Sequence, residues 1–174
     1  MNLEIRAAAL DSPEAVTLDD GLQQEYLIRY GGVDATPVRP AEFAPPAGAF
    51  LVAWLDGQPV ACGGFRTVGE RSEGGPGDGT VEIKKMYVVP AARGMGVAKR
   101  MLAALEGRAV ASGCREVILE TGSVQPEAFA LYTSHGYRSV PAFGIYSGEP
   151  GARHLGKMLS PARSAMPKLP KMPT

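Results

Sequence analysis

The sequence predicts an α/β (α+β) fold with a mixed, mostly antiparallel central sheet of six to seven strands flanked by helices. The first observation is a pair of β-forming stretches on either side of Asp56-Gly57, a dipeptide typical of tight antiparallel hairpins. The second is the alternation of strand, helix, strand and helix patterns from Val81 onward. Strands that alternate with helices in one sheet place the helices on its faces.

Length and composition bound the organisation of the chain. Its 174 residues, 45% of them hydrophobic, suit one domain with a sizeable core, which we assign to residues 1–159. Residues 160–174 contain prolines and lysines but no acidic residue, and we expect a disordered tail there.

Charge and targeting signals exclude several classes of partner. Acidic and basic residues balance at 18 each, so we expect neither nucleic acid nor a membrane as a partner. The first residues lack the apolar core of a signal peptide, which predicts a cytoplasmic protein. Cys62 and Cys114 are too isolated for a disulfide framework or a zinc site, so we expect buried thiols and no metal.

The first half of the chain predicts a strand, a helix and a hairpin. Leu3 to Ala7 fits a short strand, and Ser12 followed by Pro13 is typical of a helix start. Gly31 ends that helix, and the proline-rich stretch that follows predicts a loop. The predicted ranges are Ala35–Gly48 for the loop, Ala49–Leu55 and Pro59–Val68 for the hairpin strands, and Gly69–Gly79 for a mobile hairpin loop.

The second half predicts the remaining strands and helices. In the strand Val81–Val89, Val81, Ile83, Tyr87 and Val89 alternate as β-formers, although Lys85 interrupts that face. A helical pattern begins at Ala98 and stops at Gly113. The other predicted ranges are an interior strand at Glu116–Thr121, a helix opened by Pro126 and closed by Gly136, and weaker strands at Tyr137–Tyr146 and Arg153–Leu159.

The link between the Val81–Val89 strand and the next helix has the composition of a phosphate site. Arg93, Gly94, Gly96 and Ala98 lie on a short loop that leads directly into the helix. The first turn of a helix has backbone N–H groups without partners, its dipole is positive there, and glycines let phosphate oxygens approach the backbone.

Two stretches in the same order resemble a known family. VVPAARGMGVA is similar to the acetyl-CoA signature of the GNAT acetyltransferases, with Arg93, Gly96 and Ala98 at its marked positions. QPEAFALYTSHGY resembles that family's later motif, through Tyr132, Gly136 and Tyr137. With the strands around them, the matches extend over roughly residues 51–139. The resemblance implies a GNAT-like acyl-CoA acyltransferase fold with acetyl-CoA as co-substrate.

Two other interpretations of the glycine loop fit less well. A dinucleotide fingerprint would need a third glycine where Lys99 stands, and the loop follows antiparallel hairpins instead of opening a βαβ unit. A merely tight turn would explain one or two glycines, but not also Arg93 and the later motif.

The resemblance also implies which residues bind the cofactor. The pantetheine arm would pair with the strand backbone at Met86, Tyr87 and Val88, with an N–H near Val88 polarising the thioester carbonyl. Gln125 stands where many relatives have an asparagine that contacts this arm. The pyrophosphate would be bound by Arg93, Gly94, Met95, Gly96, Val97 and Ala98.

Two residues are candidates for acid–base chemistry. Glu82 matches the family position of a general base, which an amine needs because its ordinary pKa near ~10.4 leaves it protonated. Its alternative is a solvated or Lys84-paired carboxylate. Tyr132 matches the residue that protonates the leaving thiolate, and its alternative is a core aromatic on the face of Ala128 and Leu131.

The function that follows is direct acetyl transfer, in a ternary complex, from acetyl-CoA to a primary amine of a small molecule or peptide. A non-catalytic acyl-CoA sensor or interaction module is the alternative class. A route through an acetylated Cys62 or Cys114 is a weaker variant, since neither has an activating base nearby in sequence. Edge strands could also pair in a homodimer.

The other polar and aromatic residues have simpler interpretations. His135 in a last helical turn favours a capping role, and His154 has no metal-ligand partner. Trp54 fits strand packing. Asp34, Glu42 and Arg66 could face a cationic acceptor, although solvated surface charge is the ordinary role of such residues.

Overall fold

A computed structural model describes residues 1–68 and 79–160 of the chain. Its strands are β1 (Leu3–Ala7), β2 (Gly48–Leu55), β3 (Gln58–Thr67), β4 (Thr80–Val88), β5 (Glu116–Gly122), β6 (Arg138–Ser139) and β7 (Ala152–Met158). Its α-helices are α1 (Pro13–Tyr30), α2 (Val97–Ala111) and α3 (Pro126–Ser134), with short 3-10 turns at Pro40–Phe43 and Pro90–Ala92. The predicted mobile loop, except for Gly79, and the predicted tail from residue 161 lie outside the described residues.

All seven strands form one sheet in the order β1-β2-β3-β4-β5-β7-β6. Only the pairing of β4 with β5 is parallel, and the other five pairings are antiparallel. The predicted mixed, mostly antiparallel sheet is therefore confirmed, and β5 is an interior strand as expected. Within the described ranges, no helix has both the length and the apolar character that crossing a membrane requires.

The sheet separates two apolar clusters. One face packs against α2 and α3, where Met101, Leu102 and Leu105 are fully buried. The other face packs against α1, whose buried residues Ala15, Leu18 and Leu22 contact side chains of β2, β3 and β4. Both faces of the sheet are therefore covered, as the sequence predicts for strands that alternate with helices.

The predicted helix and hairpin signals have the expected local geometry. Ser12 Oγ accepts a hydrogen bond from the Ala15 backbone N–H at 3.4 Å, and Gly31 ends α1 in the left-handed region with φ 74°. Asp56 and Gly57, with φ values of 47° and 83°, form the tight turn between β2 and β3. Trp54 packs against the α1 cluster, so its predicted packing role is confirmed.

The strand predicted at Tyr137–Tyr146 is wrong over most of its length, because only Arg138 and Ser139 pair with β7. The Val140 N–H still donates to the His154 carbonyl at 3.0 Å, but Pro141 has no backbone N–H to continue the pairing. The rest of the segment forms a loop over the sheet, in which the Phe143 ring lies 4.9 Å from the His154 ring.

The predicted alternation along β4 is also wrong beyond Lys85, and a β-bulge explains the difference. Lys85 has φ 60°, and the pairing with β3 shifts its register around Gly63. An extra residue in one strand reverses the faces of all residues that follow. Tyr87 therefore packs in the α1 cluster, although Val81 and Ile83 belong to the α2 cluster.

Side chains at the end of α1 contact the start of α3. Tyr30 donates a hydrogen bond to Gln125 Oε1 at 2.8 Å, and Arg29 donates one to the Val124 carbonyl at 3.0 Å. Arg29 also forms an ion pair with Glu127. We call these contacts the α1–α3 clasp.

Gly48 is a position where the fold requires a glycine. An added Cβ would lie 2.2 Å from the Phe65 carbonyl oxygen and 2.3 Å from that of Glu42, both of which belong to the backbone. We expect Gly48→Ala to lower the free energy of unfolding by about 1–3 kcal/mol, as overpacking does. Chemical denaturation measures this change.

Gly107 provides the matched control for that substitution. It lies in the interior of α2, and a Cβ there would meet nothing within 4 Å. Gly107→Ala should instead raise the unfolding free energy by about 1 kcal/mol, because alanine favours helix. Equal effects at the two positions would contradict the packing argument.

Candidate active site

The central feature of the site is the point where the two parallel strands separate. β4 and β5 pair only from Thr80–Glu116 to Ile83–Leu119. Beyond Ile83, β4 has no strand partner on the β5 side among the described residues, whereas β3 still pairs with it at Tyr87 and Val88. A gap therefore opens between β4 and β5, and it exposes backbone polar groups that an extended ligand could pair with.

The predicted pantetheine residues lie along this free edge. Met86, Tyr87 and Val88 follow the bulge at Lys85, which turns the strand where it leaves β5. Gln125 is the N-cap residue of α3, and its side chain accepts the Tyr30 hydrogen bond of the α1–α3 clasp. The structure thus brings the predicted strand residues to the gap and places Gln125 across it.

The predicted phosphate loop has the geometry of an open cradle. Gly94 and Gly96 adopt φ values of 76° and 77°, and an added Cβ at either would meet nothing within 4 Å. α2 begins at Val97, and no side chain caps its N-terminus. Its first N–H groups are therefore available to an anion, and the loop fits the diphosphate of an acyl-CoA. Met95 lies between the two glycines, and Ala98 is the second residue of α2.

Arg93 makes contacts with α1 and β4 that the sequence does not reveal. Its guanidinium forms an ion pair with Glu25 of α1, and its Nε donates a hydrogen bond to the Val88 carbonyl at 3.0 Å. The same group lies 5.9 Å from the centre of the Tyr87 ring. Arg93 therefore ties the start of the loop to both α1 and β4.

Tyr132 is buried on α3 beside the gap. Its ring packs edge-on against Tyr137 at 5.5 Å, and its hydroxyl has no hydrogen-bond partner among the described residues. Burial raises the pKa of Tyr132 above its usual range, so the phenol is protonated at neutral pH. Both interpretations of Tyr132 are compatible with this position, because the ring belongs to the core and the hydroxyl keeps its proton available.

Tyr137, the last residue of the second motif, has a structural environment. Its hydroxyl donates a hydrogen bond to Glu106 Oε1 at 2.9 Å, and Lys157 Nζ lies 3.0 Å from the other oxygen of that carboxylate. Burial, and then the negative charge of Glu106, raise the pKa of Tyr137. The motif thus provides one tyrosine with a free hydroxyl and one whose hydroxyl is bound.

Two adjoining cavities lie on the α1 side of the sheet, with volumes of about 380 Å³ and about 330 Å³. Lys84, Glu120 and Tyr146 line both of them, at the place where β4 and β5 separate. The larger cavity also contacts the clasp residues Tyr30 and Gln125. Acidic side chains outnumber basic ones in the walls, and aromatic rings lie among them, which suits a small cationic ligand.

Glu82 lines the smaller cavity and has a partner that the sequence analysis did not assign to it. Its carboxylate is buried and accepts from Arg66 Nε at 3.2 Å, across the β3–β4 pairing. The interpretation of Glu82 as solvated or paired with Lys84 is therefore wrong. Arg66 also lies 3.5 Å from Glu42 and donates to the Pro37 carbonyl at 2.9 Å, so its interpretation as a surface arginine is wrong too.

Asp34 and Glu42 are likewise bound into the site instead of solvated. Asp34 Oδ2 lies 3.2 Å from Lys84 Nζ, and its other oxygen accepts from the Thr36 backbone N–H. Burial opposes ionisation of Asp34, but the Lys84 charge and the Thr36 hydrogen bonds outweigh it and lower its pKa. The proline-rich loop thus packs back onto the sheet, which its composition alone does not indicate.

Glu120 and His154 form a pair that the sequence analysis missed. They lie directly opposite each other on β5 and β7, with His154 Nε2 3.0 Å from Glu120 Oε2. Burial raises the pKa of Glu120, and the charges of His154 and Lys84 only partly oppose this. The sequence signal that could have pointed to this pair is Glu120 itself, a carboxylate that directly follows the apolar residues of a strand predicted to be interior.

The cysteines and the remaining histidine have structural roles. Cys62 is buried, its thiol donates to the Lys85 carbonyl at 3.3 Å, and burial raises its pKa, as burial does for Cys114. A raised thiol pKa disfavours the thiolate that a covalent route needs. His135 Nδ1 lies 2.7 Å from the Leu131 carbonyl at the end of α3. Within the described residues, no group of three His, Cys, Asp or Glu side chains could hold a metal ion.

Comparison with known proteins agrees with this geometry. The profile of the acetyltransferase (GNAT) family matches residues 18–137. The chain is 37% identical over 116 residues to an IAA acetyltransferase of Azospirillum brasilense. The aligned region covers 67% of this chain and 71% of that protein.

Solved structures share the whole fold. A presumed acyl-CoA N-acyltransferase from Klebsiella pneumoniae superposes with a TM-score of 0.71 and 30% identity, covering 91% of this chain and 98% of the other. A GNAT-family acetyltransferase from Staphylococcus aureus superposes with a TM-score of 0.68 at 15% identity, covering 90% and 100%.

The fold, the separated parallel strands and the uncapped glycine loop define an acyl-CoA-dependent acyltransferase. The chain belongs to the GNAT family of acetyltransferases, a family that uses acetyl-CoA.

The open geometry at Gly96 gives a testable expectation. A side chain there would project into the cradle and would also force a non-glycine residue to φ 77°. We expect Gly96→Leu to weaken coenzyme A binding at least about tenfold, since the anion loses its close approach to the helix N-terminus. Isothermal titration calorimetry with coenzyme A measures this.

Gly113 is the matched control for backbone strain. It has φ 83°, lies at the other end of α2, and has nothing within 4 Å of an added Cβ. Gly113→Leu should cost a similar conformational energy, about 1–2 kcal/mol, while coenzyme A affinity stays unchanged. If both variants lose affinity equally, strain and not the cradle is responsible.

Proposed function

We propose that the chain is an N-acetyltransferase that transfers the acetyl group of acetyl-CoA directly to a primary amine of a small molecule or peptide. The observation that carries this proposal is the gap between β4 and β5. It combines a free strand edge with an uncapped helix N-terminus, and α3, which packs on β5, carries Tyr132 with a hydroxyl that has no bonded partner among the described residues. The name of the Klebsiella pneumoniae relative, an acyl-CoA N-acyltransferase, supports an amine as the acceptor.

The proposed roles of the cofactor-binding residues follow from their geometry. The first N–H groups of α2, beyond Gly94 and Gly96, bind the diphosphate, and the free edge from Met86 to Val88 pairs with the pantetheine arm. An N–H near Val88 stabilises the oxyanion that forms at the acetyl carbonyl. Acetyl-CoA itself supplies an acetyl group activated as a thioester.

Tyr132 is the proposed general acid. A thiolate with an ordinary pKa near ~8.5 leaves more readily when a proton is delivered to it as the C–S bond breaks. The Tyr132 phenol is protonated and has no competing hydrogen-bond partner among the described residues, so it can donate to that sulfur.

The acceptor occupies the two cavities in this proposal. Their carboxylates, Asp34, Glu42, Glu82, Glu120 and the exposed Glu149, outnumber the cations Lys84 and Arg66. This excess attracts a protonated amine. Glu82 stays the family-based prediction for the base, although its ion pair with Arg66 would be lost if it took up a proton.

The first experiment separates the enzyme from a non-catalytic acyl-CoA sensor. Purified protein is tested for thiol release from acetyl-CoA with a panel of amines that includes diamines, aromatic amines, amino acids and peptides. We expect release that saturates with at least one amine. Calorimetric binding of coenzyme A without release on the whole panel would support the sensor instead.

Removal of the Tyr132 hydroxyl tests the general acid. We expect Tyr132→Phe to lower kcat roughly 100-fold, since general acid catalysis contributes at least that much, while acetyl-CoA affinity changes little. Stopped-flow thiol release and calorimetry measure the two quantities.

Tyr137→Phe is the control for loss of a buried hydroxyl in the same cluster. Its hydroxyl is bound to Glu106, so this change should lower the melting temperature while kcat stays close to that of the wild type. A Tyr132→Phe variant with unchanged kcat at saturating substrate would remove the acid role.

A further inference from the structure

Glu120 is the first residue of β5 beyond the last pair with β4. Leu119 still pairs with Ile83, whereas Glu120 pairs only with His154 on the opposite side. Its carboxylate lines both cavities, and 18% of the side chain is exposed. Glu120 therefore faces the place where the free strand edge and the acceptor cavities meet.

His154 fixes the Glu120 carboxylate from β7. The imidazole is buried, with Nε2 3.0 Å from Glu120 Oε2, and the Phe143 ring packs against it at 4.9 Å. While Glu120 is ionised, Nε2 carries the proton of this hydrogen bond. The second carboxylate oxygen of Glu120 makes no hydrogen bond to the described residues, so it can face a ligand.

The other ionisable groups near Glu120 belong to several elements of the fold. Lys84 and Glu82 act on it from β4, and Glu120 in turn raises the pKa of Tyr30 on α1 and of Tyr146 in the loop before β7. Lys84 forms an ion pair with Asp34 and donates a hydrogen bond to Thr36 Oγ1. Its positive charge is therefore partly compensated and stabilises ionised Glu120 less. The remaining charged residues of the two cavities are Arg66, Glu42 and Glu149.

The partners of the two buried carboxylates make them chemically different. Glu82 is bound to a guanidinium, which stays protonated, so protonation of Glu82 would leave Arg66 with only the more distant Glu42. Glu120 is instead bound by an imidazole N–H through one oxygen only, and its second oxygen has no partner among the described residues. A proton can therefore be taken up at that second oxygen without breaking the hydrogen bond from His154 and without leaving a guanidinium unpaired.

We infer that the Glu120–His154 pair, and not Glu82, accepts the proton that the acceptor amine must lose. This inference rests on the proposed function. It makes Glu120 the catalytic base and His154 a positioning residue that holds its carboxylate through the Nε2–H hydrogen bond.

The proton balance of the step is complete. An N–H bond of the ammonium breaks, its electron pair stays on nitrogen, and an O–H bond forms on Glu120. The neutral nitrogen then forms the C–N bond as the C–S bond breaks, and Tyr132 protonates the sulfur. A second proton leaves the nitrogen as the amide forms and replaces the one that Tyr132 gave, and the pair returns its own proton to solvent.

The direction of the titration agrees with this role. A base acts in its deprotonated form, so activity is present above the apparent pKa of the pair and is lost as the pH falls through it. Burial raises the pKa of Glu120, so activity should be lost at a higher pH than the one at which an ordinary glutamate titrates.

The test is the pH profile of kcat/KM for the amine that the wild type uses best, measured from pH 5 to about pH 10. We expect Glu120→Gln to lower kcat/KM roughly 100-fold at neutral pH, a typical value for loss of a general base. This deficit should shrink as the pH approaches the amine's own pKa near ~10.4, where the amine is already neutral. A merely structural role for Glu120 would give a deficit that does not depend on pH.

Two companion variants keep the test decisive. His154→Gln retains a hydrogen-bond donor but removes the imidazole charge that lowers the pKa of Glu120, so its acid limb should shift to higher pH with a smaller loss of rate. Glu116→Gln is the matched control, because Glu116 lies on the same strand and bonds Thr80 away from both cavities. Its pH profile should equal that of the wild type.

The outcomes separate this inference from the proposed function. A wild type that binds coenzyme A and acetylates no amine contradicts the proposed function, and the role of the pair with it. An active wild type whose Glu120→Gln variant keeps the rate and the acid limb contradicts the inference alone, and so does an acid limb that disappears in Glu82→Gln. If Glu120→Gln fails to fold, as judged by its melting temperature, an unshifted profile in His154→Gln contradicts the inference.

Discussion

The separation of β4 from β5 after Ile83 and Leu119 is the constraint on which the site depends. Two parallel strands that stop pairing inside a sheet leave backbone groups that need another partner. Here the free edge of β4 leads directly to the uncapped N-terminus of α2, so one continuous surface offers hydrogen-bond donors to an extended anionic ligand. The same separation leaves Lys84 and Glu120 on either side of the gap, where both cavities begin.

The site is assembled from charged side chains that compensate one another. Arg66 binds Glu82 and Glu42, Lys84 binds Asp34, and His154 binds Glu120. Each contact joins different elements, so the ionic network also fixes the proline-rich loop and β7 against the sheet. Helices α1 and α3 each supply a tyrosine, and Tyr132 on α3 contributes, after burial and Asp34, to the raised pKa of Tyr26 on α1.

Local sequence predicted most of the fold but little of this network. Alternating β-formers, the Ser12 cap and the Asp56-Gly57 turn act between near neighbours, so the element order could be derived from them. The bulge at Lys85 was invisible, because a reversal of faces depends on pairing with β3. The partners Arg66–Glu82 and Glu120–His154 lie 16 and 34 residues apart, and they became neighbours only through strand register. Family resemblance predicted residues for the cofactor side, where backbone geometry dominates, and on the acceptor side it predicted Glu82 but not the Glu120–His154 pair.

The α1–α3 clasp links two positions whose sequences cannot change independently. A Cβ at Gly122 would lie 2.0 Å from the Tyr30 hydroxyl and 2.7 Å from the ring carbon that bears it. Any side chain at position 122 must therefore displace Tyr30 and break its bond to Gln125. A larger residue at 122 is therefore compatible with this packing only together with a smaller one at 30. Because both positions line the larger cavity, a substitution at either one changes the shape of that cavity.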